Sequence, residues 1–284
     1  MIERFEVLAE GLNHPEGLAW SPVDGHIYAG GEGGEFYRVS MDGTVELLGA
    51  TGGSMLGIAV DGNGRVYACD DGNGEIARHD PATGTIETFA RGVGGVDLDE
   101  PNVAAFGPDG SLYVTCSGDD RPEIVRIREG VTERWCEELV DYPNGMVVLP
   151  DGDAMLVIES HAQRIARVPI GADGSAGPAT TFAELPDTDA DGLALDADGY
   201  VWATLYRPDG LVRFGPNGDE VLRIDDHLAT TFDAPTNLAF AGADLALAVV
   251  ANVGDRFLAA ADLGVRGRPL HYPALGPQLG QELA

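Results

Sequence analysis

The sequence YPNGMVVLPDGDAMLVIES at residues 142–160 reads as two apolar strands joined by a tight turn. The PDGD between the strands suits such a turn, because Asp bonds its own backbone and Gly takes positive φ without strain. The same opening recurs as PEGLAW at 15–20, MLGIAV at 55–60, PNVAAF at 101–106, ADGLAL at 190–195 and PTNLAF at 235–240. Successive openings lie 40 to 47 residues apart. A repeat of this length made of short strands is typical of a β-propeller blade.

Each opening is followed by a second apolar strand, a third strand such as EIVRIR, and a more polar outer one such as TIETFA. We therefore predict an all-β fold, a six-bladed β-propeller with four antiparallel strands per blade, in one domain over residues 1–284. The N-terminal RFEVLAEG at 4–11 is expected to pair beside the last blade and close the ring. The alternative is that RPLHYPALG at 268–276 supplies that outer strand.

The chain carries 47 acidic and 17 basic residues, a formal net charge of −30, and all of its basic residues are Arg. Such a field repels nucleic-acid phosphates and anionic lipid surfaces, so we expect neither as a partner. With no long apolar run and no basic, apolar leader, a cytoplasmic protein is expected, a monomer or weak oligomer acting on a small molecule. The acidic, lysine-free composition fits either adaptation to high salt or a genomic preference for Arg. Three cysteines without metal-type spacing predict unpaired structural thiols.

Oxygen-bearing side chains recur near the start of the innermost strands, and apolar Leu56 takes their place in the second repeat. The five predicted ring residues are Glu16, Asn102, Asn144, Asp191 and Asn237. In a propeller they converge on the central axis, where crowded carboxylates and amides are costly unless something compensates them. Without His or Cys among them, the set favours one divalent metal ion, Ca²⁺ first, then Mg²⁺ or Mn²⁺, with Fe²⁺ or Zn²⁺ as further options. A metal or water that merely plugs the axis is the structural alternative.

Up-and-down strands put the loop between strands two and three on the same face as these ring residues. That places His161, Tyr206 and Arg207 at the mouth, and His14 at its border. Substrate contacts are therefore predicted from Asn102, Asn237, His161, His14, Tyr206 and Arg207. His161 is a candidate proton shuttle, although a partly exposed loop histidine explains it equally well.

Four segments in the right order resemble the SMP-30/gluconolactonase/LRE family of six-bladed propellers. They are HPEGLAW at 14–20, YPNGMVVLPDG at 142–152 with the following ESHAQRIARV, DADGLALDADGYVWAT at 189–204 and PTNLAFAG at 235–242. The resemblance covers nearly the full length and implies a metal-dependent lactonase in which Glu16, Asn144 and Asp191 hold one divalent ion. It also implies that Asn102 completes the coordination or touches the substrate, and that Asn237 is at a more variable position.

Sugar lactonases of this family often carry Arg two residues before the third-blade Asn and Asp directly after it. This chain has Glu100 and Val103 there, which weakens an aldonolactone assignment. The expected activity is hydrolysis of a neutral lactone or ester, with the cation as Lewis acid and Asp191, or second Glu16, as the group that activates water. A non-hydrolytic cyclase or isomerase on the same metal site, and a noncatalytic ligand-binding propeller with a structural ion, remain the alternatives.

Overall fold

The computed structural model describes residues 5–226, 228 and 231–276. In that part of the chain, strands form six four-stranded antiparallel sheets, which confirms the six-bladed propeller. The first strand is β1 (Glu6–Glu10). Blade 1 comprises β2 (Leu18–Ser21), β3 (His26–Gly30), β4 (Glu35–Val39) and β5 (Val45–Ala50). Blade 2 comprises β6 (Met55–Val60), β7 (Val66–Asp70), β8 (Glu75–Asp80) and β9 (Thr85–Arg91). Blade 3 comprises β10 (Pro101–Phe106), β11 (Leu112–Cys116), β12 (Glu123–Arg128) and β13 (Val131–Cys136).

Blade 4 comprises β14 (Pro143–Val148), β15 (Ala154–Glu159), β16 (Arg164–Pro169) and β17 (Thr180–Glu184). Blade 5 comprises β18 (Asp189–Leu195), β19 (Val201–Arg207), β20 (Gly210–Phe214) and β21 (Glu220–Asp225). Blade 6 comprises β22 (Pro235–Ala241), β23 (Leu247–Asn252) and β24 (Phe257–Asp262), with β1 as its outer strand. The innermost strands β2, β6, β10, β14, β18 and β22 each contact the next, and β22 contacts β2, so the ring is closed.

The N-terminal strand closes the ring, as predicted. β1 pairs antiparallel with β24, with Glu10 opposite Phe257, and Ala9 and Leu12 are buried in the core between blades 6 and 1. The alternative, in which residues 268–276 form this outer strand, is wrong. Those residues lack the alternation of a half-buried strand, and they lie elsewhere on the molecule.

The C-terminal segment crosses the face that carries the Asp/Gly turns. Gly62 donates its backbone N–H to the Pro273 carbonyl oxygen at 3.0 Å, and a ring nitrogen of His271 lies 3.0 Å from the Leu149 carbonyl oxygen. The segment thus bridges turns of different blades and covers this end of the axis. The ring residues are approached from the opposite face.

The hydrophobic core lies between neighbouring blades rather than in one central layer. Tyr67 of blade 2, for example, packs edge-on against Phe106 of blade 3, with ring centroids 5.2 Å apart. Cys69, Cys116 and Cys136 are buried and unpaired, as predicted. Within the described residues, no helix has the length and apolar character needed to cross a membrane.

Candidate metal centre and substrate cavity

One cavity of about 480 Å³ opens where the inner strands begin. Four of the predicted ring residues line it: Glu16, Asn102, Asn144 and Asp191. Leu56 supplies the apolar position in blade 2, as the repeat indicated. The structure therefore brings together residues that are as far apart in the sequence as Glu16 and Asp191.

The sixth position of the ring belongs to Thr236, and the predicted placement of Asn237 there is wrong. Thr236 lines the cavity and donates its hydroxyl to the Glu16 carbonyl oxygen at 2.7 Å. Asn237 lines a separate, mainly apolar cavity further down the axis. Adjacent residues of a strand point in opposite directions, so an offset of one residue moves a side chain out of the site.

Glycines directly after the ring residues allow the inner strands to approach closely. A Cβ on Gly17 would lie 2.0 Å from the Leu56 carbonyl oxygen, and one on Gly145 would lie 2.0 Å from that of Asp191. Hydroxyl groups bridge other junctions: Thr115 donates to the Asn144 carbonyl oxygen at 3.0 Å. These contacts fix the backbone of each ring residue against the next blade.

Each of the four ring residues with a carboxylate or amide keeps one buried oxygen without a hydrogen-bond partner. The atoms are Glu16 Oε2, Asn102 Oδ1, Asn144 Oδ1 and Asp191 Oδ1, on residues that are 3–8% exposed. Buried polar atoms are nearly always paired, so four orphaned oxygens in one cavity indicate a missing partner. A hard divalent cation, which binds carboxylate and amide oxygens, fits this donor set. No three His, Cys, Asp or Glu side chains in the described ranges are grouped to hold a metal, so the two amides are essential to the fit.

Hydrogen bonding at Ser160 determines which end of the Asn144 amide is free. The Ser160 hydroxyl donates to the Ala190 carbonyl oxygen at 2.7 Å, so its oxygen is left to accept from Asn144 Nδ2 at 3.3 Å. Asn144 Oδ1 is then the atom available to a ligand. Ser160 is a residue that sequence reasoning missed as a support of the site.

Burial controls the protonation of the two carboxylates. It raises the pKa of Asp191 to about 8, and it raises the pKa of Glu16 well above its usual value, with further increases from the charges of Asp191 and Glu100. Without a bound cation, these two groups therefore tend to hold protons at neutral pH. A bound cation favours their charged forms, so metal binding and proton release are linked.

The mouth of the cavity is acidic and aromatic. Tyr142 donates its hydroxyl to Glu100 Oε1, and the His161 ring packs 4.8 Å from the Tyr142 ring, centroid to centroid. Burial raises the pKa of Glu100, and the Tyr142 hydrogen bond opposes that increase. Asp71, Asp189 and Tyr206 also line the wall. Of these mouth residues, sequence reasoning named only His161 and Tyr206 as substrate contacts.

Two other predicted contacts do not reach the cavity wall. A ring nitrogen of His14 lies 2.9 Å from the Val253 carbonyl oxygen, so that atom is engaged by backbone. Arg207 is exposed, and its guanidinium carbon lies 5.2 Å from the centre of the Tyr206 ring. Neither residue lines the cavity, whereas Tyr206, which Arg207 contacts, does.

A backbone feature of the strand entries orients the mouth. Four residues that each precede a proline have φ between 46° and 62°: His14, Glu100, Tyr142 and Ala234. This left-handed region is costly for residues other than Gly, so surrounding structure must hold it. The pattern residue–Pro–ring residue is visible in the sequence, but its backbone angle is not.

The fold and the donor set define a class of protein, the six-bladed propeller with carboxylate and amide oxygens gathered near its axis. The family described as SMP-30/Gluconolactonase/LRE-like region matches residues 14–253, and the chain belongs to that family.

Solved structures show the same fold at low sequence identity. A gluconolactonase from Xanthomonas campestris is 23% identical, with a TM-score of 0.79 over 92% of this chain and 89% of that one. A calcium-binding protein, regucalcin, from Agrobacterium tumefaciens is 20% identical, with a TM-score of 0.78 over 93% and 96%. A luciferin-regenerating enzyme is 15% identical, with a TM-score of 0.80 over 96% and 99%.

Proposed function

We propose that this protein is a metal-dependent hydrolase that opens a lactone or a similar cyclic ester. The observation that carries the proposal is the set of four orphaned oxygens on Glu16, Asn102, Asn144 and Asp191 in one open cavity. Membership of a family named for gluconolactonase supports a lactonase-type reaction.

Glu16, Asn144 and Asp191 would hold the ion, with Asn102 completing the set or contacting substrate. When bound, a divalent cation supplies Lewis-acid polarisation of the carbonyl group and stabilises the charge that develops on its oxygen. Ca²⁺ is our first candidate because all four donors are oxygens, and a regucalcin with the same fold is described as calcium-binding.

Asp191 is our candidate for the group that takes the proton from the attacking water. Its Oδ1 is buried in the cavity without a hydrogen-bond partner. With one carboxylate oxygen on the ion, the other would be free to orient the water and take its proton. Glu16 is the second candidate, since its Oε2 is equally unpartnered. His161 at the mouth could pass the proton on to solvent.

A panel of γ- and δ-lactones with a pH indicator tests the activity, before and after EDTA and with Ca²⁺, Mn²⁺, Zn²⁺ or Fe²⁺ added back. We expect acid release that EDTA abolishes and one of these ions restores. Asp191→Ala should remove both metal binding and turnover. Asp198→Ala is the matched control, because Asp198 stands in an identical ADG on the same blade but is exposed on the turn face. Full activity in Asp191→Ala would overturn the proposal.

A further inference from the structure

We propose that the cavity selects a substrate carrying an organic cation, an ammonium or quaternary ammonium group, beside the bond that is cleaved. This deepens the proposed lactonase function and rests on it. The recognising groups are the Glu100 carboxylate and the aromatic rings around it.

The charged side chains on the cavity wall are almost all acidic. Five carboxylates line it: Glu16, Asp71, Glu100, Asp189 and Asp191. Among its described lining residues none is Arg, the chain has no lysine, and His161 is the only basic side chain. A divalent cation balances the charge of two carboxylates and leaves three, so the occupied site still attracts positive charge.

The three outer carboxylates have no cationic partner of their own. Within the described chain, Arg side chains form ion pairs with many acidic residues, but with none of Asp71, Glu100 and Asp189. Asp71 and Glu100 are partly buried, and carboxylates in such positions are unfavourable unless a ligand compensates their charge, whereas Asp189 is exposed at the rim. The orphaned, more than nine-tenths buried oxygens of Glu16 and Asp191 in the same cavity show independently that it is built to bind something.

Glu100 is the residue best placed to bind such a group. It stands two residues before Asn102, and the Tyr142 hydroxyl holds one of its oxygens. Its charge is close enough to Glu16 to raise the pKa of that carboxyl, so it lies near the reacting end of the cavity. A carboxylate at this position attracts ammonium groups and repels anionic ones.

Aromatic rings complete the chemistry of a cation site. Tyr142, Tyr206 and His161 line the mouth, and the faces of aromatic rings attract organic cations. Tyr206 already shows this behaviour, because the exposed Arg207 guanidinium lies over its ring. Arg207 is therefore a competitor at the rim, and its removal should strengthen cation binding.

The test compares a γ-lactone bearing a trimethylammonium group with the tert-butyl γ-lactone of the same shape, using the metal-loaded protein. We expect the ratio of their kcat/KM values to favour the cation by at least about tenfold, the size of one close cation–π or electrostatic contact, because trimethylammonium has no N–H to donate. Glu100→Gln should reduce this ratio about tenfold. Glu32→Gln removes the same charge on an exposed mouth-face loop outside the cavity and should leave the ratio unchanged. Arg207→Gln should increase it.

Equilibrium binding of the two corresponding γ-lactams, which resist hydrolysis, gives a readout that does not depend on turnover. The cationic lactam should bind more tightly, and Glu100→Gln should remove that difference. Equal kcat/KM for both lactones together with equal lactam affinities would overturn the cation assignment while the lactonase proposal stands. Absence of hydrolysis of every lactone, with selective binding of the cationic lactam, would instead overturn the lactonase proposal alone.

Discussion

A Cβ placed on Gly145 would lie 2.0 Å from the carbonyl oxygen of Asp191, which belongs to the next blade. The inner strands β14 and β18 therefore approach more closely than any side chain at this position would allow. The backbone carbonyl that Gly145 approaches and the carboxylate proposed to bind the metal both belong to Asp191. The distance between the two metal-ligand candidates Asn144 and Asp191 thus depends on the absence of a Cβ at Gly145.

We expect Gly145→Ala to destabilise the fold by about 1–3 kcal/mol, the usual cost of overpacking, and to weaken metal binding. The added methyl must push β18 away, because its nearest neighbour is backbone rather than a flexible side chain. Thermal unfolding and a metal titration measure the two effects. Gly215→Ala is the control, since its Cβ would have no neighbour closer than 3.7 Å. Equal melting temperatures for both variants would contradict the close-packing explanation.

Thr236→Val tests the assignment of the sixth ring position. The change keeps the shape but leaves the Glu16 carbonyl oxygen without its donor, which should cost about 1–3 kcal/mol in unfolding free energy and weaken metal binding. Asn237→Ala, one residue along, should leave metal affinity unchanged because Asn237 lines the other cavity. Denaturant unfolding with metal titration measures both. If Asn237→Ala weakened metal binding more than Thr236→Val, Asn237 rather than Thr236 would occupy the sixth ring position.

The metal-free protein should lose stability as pH rises from about 4 towards 8. The pKa of Asp191 is about 8 in the folded protein against an ordinary value of 3.8. Between these values the folded state binds more protons than the unfolded chain, so the unfolding free energy falls with increasing pH. Urea unfolding of EDTA-treated protein at a series of pH values measures the slope.

Asp191→Asn isolates this contribution from that of other titrating groups, because the variant differs at one carboxyl. Its stability should fall less steeply with pH than that of the unaltered protein. Saturating Ca²⁺ should likewise remove the decline in the unaltered protein, since the ion favours the charged carboxylates. Parallel pH profiles for the metal-free protein and Asp191→Asn would contradict the assignment.

Raising KCl to molar concentration should increase the melting temperature. A net charge of −30 makes the folded chain repel itself, and salt screens that repulsion. The ion pairs that salt also weakens are mostly partly exposed and are worth about 0–1 kcal/mol each, so their loss should not reverse the sign. NaCl at equal ionic strength is the control and should raise the melting temperature by a similar amount. A melting temperature that falls with either salt would contradict this account.

Much of the architecture could be predicted from the sequence because each blade is a local pattern. Apolar runs separated by Asp/Gly turns define the strands, and the repeat length sets their number. Closure by β1 was predictable too, since an unpaired strand edge needs a partner. The path of residues 268–276 was not, because their contacts, such as that of Pro273 with Gly62, join distant turns and follow no periodic pattern.

The site was predictable where proline marks the entry of a strand. Asn144 follows Pro143 and Asn102 follows Pro101, and the same rule would have selected Thr236 after Pro235 rather than its amide neighbour. Because an amide is a better metal ligand than a hydroxyl, Asn237 was predicted at this ring position instead of Thr236. Tyr142 was missed as a mouth residue because its left-handed backbone, with φ of 62°, is imposed by tertiary structure.

An anomalous-difference map from crystals of the protein soaked in Mn²⁺ tests the central claim most directly. The account predicts one strong peak on the axis within coordination distance of oxygens from Glu16, Asn144 and Asp191, and its loss in crystals of Asp191→Ala. A map with no peak among these residues, or with the ion bound elsewhere, would contradict it.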